Sequence, residues 1–143
     1  MATYRLDPLG ILEIEPLELD DGSVLHELIA PLRAPSASRA GVSVHGEPAL
    51  PDDTALDLTD QAMSTLGTDE VLVDWEPCEL GGERAVRTLI LIQLGGVATV
   101  VLEQWRLVSA GQRWVVTATA DLAGWPRIAP GLRGVVATLE VAP

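Results

Sequence analysis

Lysine, phenylalanine and asparagine are missing altogether from this 143-residue chain, and tyrosine occurs once, at Tyr4. All nine basic residues are therefore arginines, set against 21 acids for a net charge of −12. So anionic a chain has no electrostatic route to non-specific nucleic-acid binding, which depends on neutralising phosphates. Cysteine is nearly absent too: Cys78 stands alone, so no internal disulfide and no multi-cysteine zinc site can form. No apolar run reaches the roughly 18 residues that span a bilayer. The N-terminal Met1-Ala2-Thr3-Tyr4-Arg5-Leu6-Asp7-Pro8 lacks the apolar core of a signal peptide, and no lipobox cysteine follows it. Hydrophobic residues make up 48% of the chain, far too many for disorder. These absences predict a cytoplasmic protein without membrane insertion, built as a single domain over 1–143, since this length supports one core.

Phe, Lys, Asn and Tyr share AT-rich codons, so their joint depletion points to a GC-rich bacterial genome rather than to a mechanism. Charge is unevenly spread. Residues 1–79 hold 17 acids and three arginines, whereas residues 80–143 hold four acids and six arginines. Acidic loops and a solvated helix in the front half account for this, with a nearly neutral sheet behind.

The pattern of apolar residues predicts extended segments first, over Leu9–Leu19, Val24–Ala30 and Gly41–His45. Pro and Ser cluster in the loop Ala30–Arg39, and Gly46–Pro51 makes a second break. Ala55, Leu58, Thr59, Ala62, Met63 and Leu66 then form one helical stripe, with Asp52, Asp53 and Thr54 placed to cap it and Gly67 to stop it. From Glu70 the period returns to two. Strands over Val71–Cys78, Arg84–Leu94, Val97–Val108 and Gln112–Ala120 are separated by Gly81-Gly82, Gly95-Gly96 and Ser109-Ala110-Gly111, which reads as a meander. A second helix, opened by Pro126 or Pro130, carries Ile128, Leu132, Val135, Val136 and Leu139. The order predicts an α+β fold: an antiparallel β-sheet meander packed by two main helices.

If both glycine pairs are two-residue turns, Glu76 faces Arg87, Arg87 faces Gln104, and Ile90 faces Val101. One face then gathers Val71, Val73, Trp75, Ile90, Val101, Trp105 and Leu107 beneath the helices. The other is apolar at its centre, with Leu89, Leu91 and Leu102, and polar at its border, with Arg87, Gln104 and Arg106. That composition resembles a protein interface, so these six residues are the expected partner-binding set. A one-residue slip would exchange the faces, and Trp114 stays unassigned because its turn could be two or three residues long. The four tryptophans, 75, 105, 114 and 125, are expected in the core.

Signals for catalysis are weak. His26 and His45 lie in strands, with Glu27 and Glu47 nearby, and read as structural or surface residues. Cys78 reads as an inert thiol, Asp20-Asp21-Gly22 as a turn rather than a calcium loop, and Asp52, Asp53 and Asp57 as helix caps and solvated face. No phosphate-binding loop, metalloprotease or hydrolase motif occurs. No catalytic residue, metal site or cofactor is expected.

Several phrases nevertheless resemble the PsbP-like superfamily, which spans PsbP, the Ran-binding Mog factor, LpqN-type lipoproteins and the DcrB/EagR group. The resemblance is clearest over 24–141. It rests on the strand leading to Ala34-Pro35 and on Val42-Ser43-Val44, on Leu80-Gly81-Gly82-Glu83-Arg84-Ala85-Val86-Arg87, on Gln104 followed by Trp114–Ala120, and on the close at Leu139-Glu140-Val141. The signal peptide and acylated cysteine of LpqN-type lipoproteins are absent from this sequence. The resemblance implies an αβα sandwich and a non-enzymatic protein-binding module, an adaptor or secretion-type chaperone for a protein partner such as a secreted effector or its apolar segment. A homodimer stays open. The competing readings are a small-ligand binder or cryptic enzyme with a histidine in its pocket, and a structural subunit of a larger assembly.

Overall fold

The computed structural model describes residues 3–10, 13–16, 24–29, 40–49, 55–64, 66–95 and 98–143, with the backbone alone for 13–16, 24–29, 55–57 and 94. Nine strands and two helices follow one another in these residues: β1 Thr3–Arg5, β2 Glu13–Pro16, β3 Val24–Ile29, β4 Gly41–Pro48, α1 Ala55–Ser64, β5 Glu70–Leu80, β6 Glu83–Leu94, β7 Ala98–Ser109, β8 Gln112–Asp121, α2 Trp125–Val136 and β9 Glu140–Ala142. Seven strands form one antiparallel sheet in the order β2-β3-β4-β8-β7-β6-β5, and β1 pairs with β9 in a separate ribbon. The Ala30–Arg39 loop, the capping residues Asp52, Asp53 and Thr54, and the Asp20-Asp21-Gly22 turn lie outside the described residues.

Helices cover both sides of the sheet, as in the αβα sandwich that the resemblance implies, and not one side alone as the reading of the two faces expected. On one side α2 packs on β8 and β4. Its stripe of Trp125, Ala129, Leu132, Val135 and Val136 meets Val42, Val44, Val101, Trp105, Leu107, Trp114 and Val116 in one buried cluster. Pro126 occupies the first turn, where its missing N–H costs nothing, while Pro130 sits one turn further in. On the other side α1 packs on β6 and β7 through buried Leu58 and Ala62. Met63, expected on the same stripe, is exposed, and the helix ends at Ser64, before Gly67.

Trp114 is fully buried and faces α2. Its ring fits because β4 presents a glycine beneath it: a Cβ on Gly46 would lie 2.6 Å from Trp114 Cζ3. The Trp114 Nε1–H donates to the Ser109 carbonyl at 3.1 Å. Tyr4 meets the same ring edge-on, with centroids 5.6 Å apart. Burial pushes the Tyr4 hydroxyl above its ordinary range. The β1–β9 ribbon thus closes one end of the apolar layer.

The hairpins decide which residues share a face. Gly81 and Gly82 both have positive φ, +60° and +79°, and form a two-residue turn that sets Glu76 opposite Arg87 and Trp75 opposite Thr88, as counted from the sequence. The next connection is one residue longer than expected. Leu94 pairs with Ala98 rather than Val97, so Arg87 faces Trp105 instead of Gln104, and Ile90 faces Leu102 instead of Val101. Because side chains alternate, that single residue moves every β7 side chain to the opposite face from the one predicted.

Candidate functional site

β7 carries a carboxylate where its alternation calls for an apolar residue. Val101, Glu103, Trp105 and Leu107 all face α2, and Glu103 is 0% exposed. An ionised carboxylate in so dry a place costs several kcal/mol unless partners replace its lost water. Two arginines do so. From α2, Arg133 grips Glu103 with both arms of its fork, Nε to Oε1 at 2.7 Å and Nη2 to Oε2 at 2.8 Å. From β6, Arg87 Nη1 donates to Oε2 at 2.8 Å. The network then runs outward across the sheet, because Arg87 Nε donates to Glu76 Oε1 at 2.8 Å and Nη2 to Asp74 Oδ2 at 2.5 Å, both on β5. Arg133 also lies over the Trp125 ring, its Cζ 5.8 Å from the centroid.

These contacts set the charges firmly. Burial alone would lower the Arg87 pKa, but its bonds to Glu76 and Asp74 and the Glu103 charge hold it above the usual guanidinium range. Arg133 is raised chiefly by its bonds to Glu103. Asp74 is held below the usual carboxylate range by Arg87 and by the Trp75 N–H. Cys78, one turn of the pleat further along β5, is pushed up by burial and by Glu76, which makes it a poor nucleophile.

Beside the network lies a cavity of about 470 Å³. Glu76, Glu79, Gly81 and Gly82 line it from the β5–β6 hairpin, Arg133, Val136 and Ala137 from the end of α2, and Arg87 and Trp105 from between. Together with Asp74 and Glu103 at its margin, it gathers four carboxylates against two guanidinium groups, and both guanidinium groups already bind carboxylates. An entering cation would meet Glu76, Glu79 and the Trp105 ring, a chemistry that suits a basic side chain. Among the described residues no group of three or more His, Cys, Asp or Glu side chains is placed to hold a metal ion.

The six residues expected as one surface divide between two. Arg87, Leu89 and Leu91 lie on the α2 side, opposite Trp105, Glu103 and Val101. Leu102, Gln104 and Arg106 lie on the α1 side, where Gln104 Nε2 donates to Thr117 Oγ1 at 3.2 Å and Arg106 is buried. The misplacement follows directly from the longer β6–β7 connection. Burial lowers the Arg106 pKa, against a raising influence from Glu70. His45 is half-buried in β4 opposite Val115 and does not line the cavity. The β3 backbone pairs His26 with Val44, and its side chain lies outside the described residues.

Val71, Val73 and Trp75, expected in the core, are 60%, 54% and 40% exposed. β5 is the outermost strand, and a register shift between Leu72 and Asp74 turns Val73 out of the ladder. Trp105, Trp114 and Trp125 are buried as expected. Sequence reasoning passed over Glu103 and Arg133, and set Glu76 opposite Arg87 without counting it among the site residues. The signal for Glu103 was present: a lone acid between Val101 and Trp105 on an otherwise apolar face. Arg133 gave none, since an arginine beside Leu132 on an amphipathic helix reads as solvated.

No protein-family model matches the sequence, and no curated protein does. Solved structures do. LpqN of Mycobacterium tuberculosis, which is involved in cell envelope biogenesis, superposes with a TM-score of 0.77 at 12% identity over 100% of this chain and 85% of its own. PA94 of Pseudomonas aeruginosa, a protein of unknown function, gives 0.71 at 18% identity over 92% and 98%. The PsbP of the cyanobacterium Synechocystis, CyanoP, gives 0.56 at 13% over 99% and 92%. The fold is therefore PsbP-like, in agreement with the sequence phrases. Among the described residues no helix is long and apolar enough to cross a membrane.

Proposed function

We propose that this protein is a non-catalytic protein-binding module, an adaptor or secretion-type chaperone working in the cytoplasm. Its contact surface is the outer margin of the sheet, strands β5 and β6 on the side that faces α2. One observation carries the reading. The main contacts of α2 are with β8 and β4, and at the edge of the cluster it covers Leu89 and Leu91 are only half-buried while Val71 is exposed. An apolar strip bordered by the charged Asp74, Glu76 and Arg87 has the make-up of an interface, with an apolar centre and a polar rim. Arg87, Leu89 and Leu91 belong to this surface; Leu102, Gln104 and Arg106 fall outside it. The rigid Glu103 network supports it, since a preorganised margin loses little entropy on binding.

Photo-crosslinking in the native host tests the reading. A photoreactive amino acid at Leu91 is expected to give a discrete adduct with one protein, and the same group at exposed Leu122 none. A folded protein that crosslinks to nothing from Leu91, or equally from Leu122, overturns it.

A further inference from the structure

An exposed edge strand of this length is normally shielded, because its unpaired backbone invites another chain. β5 runs for 11 residues, and among the described residues nothing pairs with its outer side. Two shielding devices are present, but both leave part of the strand open. Pro77 removes one backbone donor, and the irregularity at Val73 bends the strand. Exposed Val71, Val73 and Trp75 lie upstream of Pro77, where a partner strand meets no proline.

Charge says what kind of chain fits. β5 contains four acids, Glu70, Asp74, Glu76 and Glu79, and no basic residue. The side chains of Asp74 and Glu76 remain 54% exposed although each binds Arg87. A second copy of the strand, laid antiparallel on the first, would set these acids against one another, and like charges across a ladder destabilise it. The chain as a whole carries −12, which opposes self-association further and repels an anionic lipid surface. The opposite charge is favoured, and the adjoining cavity offers Glu76, Glu79 and Trp105 to a long cationic side chain.

We infer that β5 takes up an extended segment of a partner protein in which apolar residues alternate with arginine or lysine. The segment adds as an eighth strand along Glu70–Glu76, its apolar side chains meeting Trp75 on the side of Thr88 and a basic one, on the opposite side, entering the cavity. The inference rests on the protein-binding reading and names the chemistry of the segment bound. It is a mode of recognition in which backbone bonds supply affinity and alternate side chains supply specificity.

The test uses the ¹⁵N-labelled full chain and a capped eight-residue probe peptide of alternating Arg and Val. Saturable shifts are expected at the Glu70–Glu76 amides and the Trp75 indole, weakened at least tenfold in Val73→Lys, whose spectrum otherwise stays that of the folded protein. A matched Glu/Val peptide is expected to give no shifts. Three results overturn the inference: shifts centred elsewhere, equal binding of the Glu/Val peptide, or β5 shifts that grow with protein concentration alone, which would make a second copy the occupant. Crosslinking separates this failure from that of the broader reading. A partner captured from Leu91 but from neither Val73 nor Trp75 leaves the binding module standing and removes the edge strand; no capture from any of the three removes both.

Discussion

The half of the sheet beneath α2 and the margin beyond it are held together by different means. Under the helix, β4 and β8 present Val42, Val44, Val116 and a fully buried Trp114 in a dry, close-packed layer. At the margin, β5 and β6 are tied to α2 through Glu103, Arg87 and Arg133, with Asp74 and Glu76 reaching into solvent. Apolar packing is tolerant in direction but demands volume. An ion network tolerates volume changes but demands every partner. The inner half should therefore fail through changes of size and the margin through changes of charge.

The largest effects test that contrast. Trp114→Ala, in the inner half, is expected to cost about 3–5 kcal/mol by emptying a buried site. Glu103→Ala, at the margin, is expected to cost less, about 1–3 kcal/mol, because the shared buried carboxylate and its hydrogen bonds are lost while Arg87 keeps Asp74 and Glu76 and Arg133 is half exposed. Urea unfolding measures both. A Glu103→Ala loss below about 1 kcal/mol would mean that the network does not hold α2 to the margin. Next comes Gly46→Ala, a change of one methyl. Its Cβ would sit 2.6 Å from the Trp114 ring, so a cost of about 1–3 kcal/mol is expected, with an altered near-UV signal from the displaced indole.

Smaller still, Val73→Lys and Trp75→Ser should change stability by no more than about 0.5 kcal/mol, since both side chains are exposed. A large loss would show that the margin is packed after all. The smallest effect concerns pH. Asp74 has a lower pKa in the folded protein than in the unfolded chain, so its pairing with Arg87 stabilises at neutral pH, and that contribution disappears as pH falls below about 4. Asp74→Asn should flatten this part of the stability profile, while Trp114→Ala should leave its shape unchanged.

The division between the two regions was partly legible in the residues alone. The α2 stripe, the four long strands and the Gly81-Gly82 register follow from periodicity and turn chemistry, because short-range rules govern them. The β6–β7 connection was not legible. Glycines at a turn are compatible with two- or three-residue loops, and the difference exchanged the faces of β7, which broke up the six-residue surface. Trp75, expected in the core, is exposed for a different reason. Whether a strand is central or outermost depends on distant pairings, here β4 with β8, and an apolar residue on an edge strand looks the same as one in the core. Glu103 is the instructive case, since its position on the α2 side was readable once the pattern around it was taken as the core-facing set.

The placement of the tryptophans gives the molecule a built-in optical division. Three indoles are shielded and the fourth, Trp75, stands on the outer edge among carboxylates. Emission at the red edge of the spectrum should therefore come from that edge alone. A cationic quencher such as caesium, drawn in by Glu70, Asp74 and Glu76, should extinguish it well before iodide does. Anything that settles on β5 would shift that emission to the blue and protect it from caesium, while the signal of the other three stays constant.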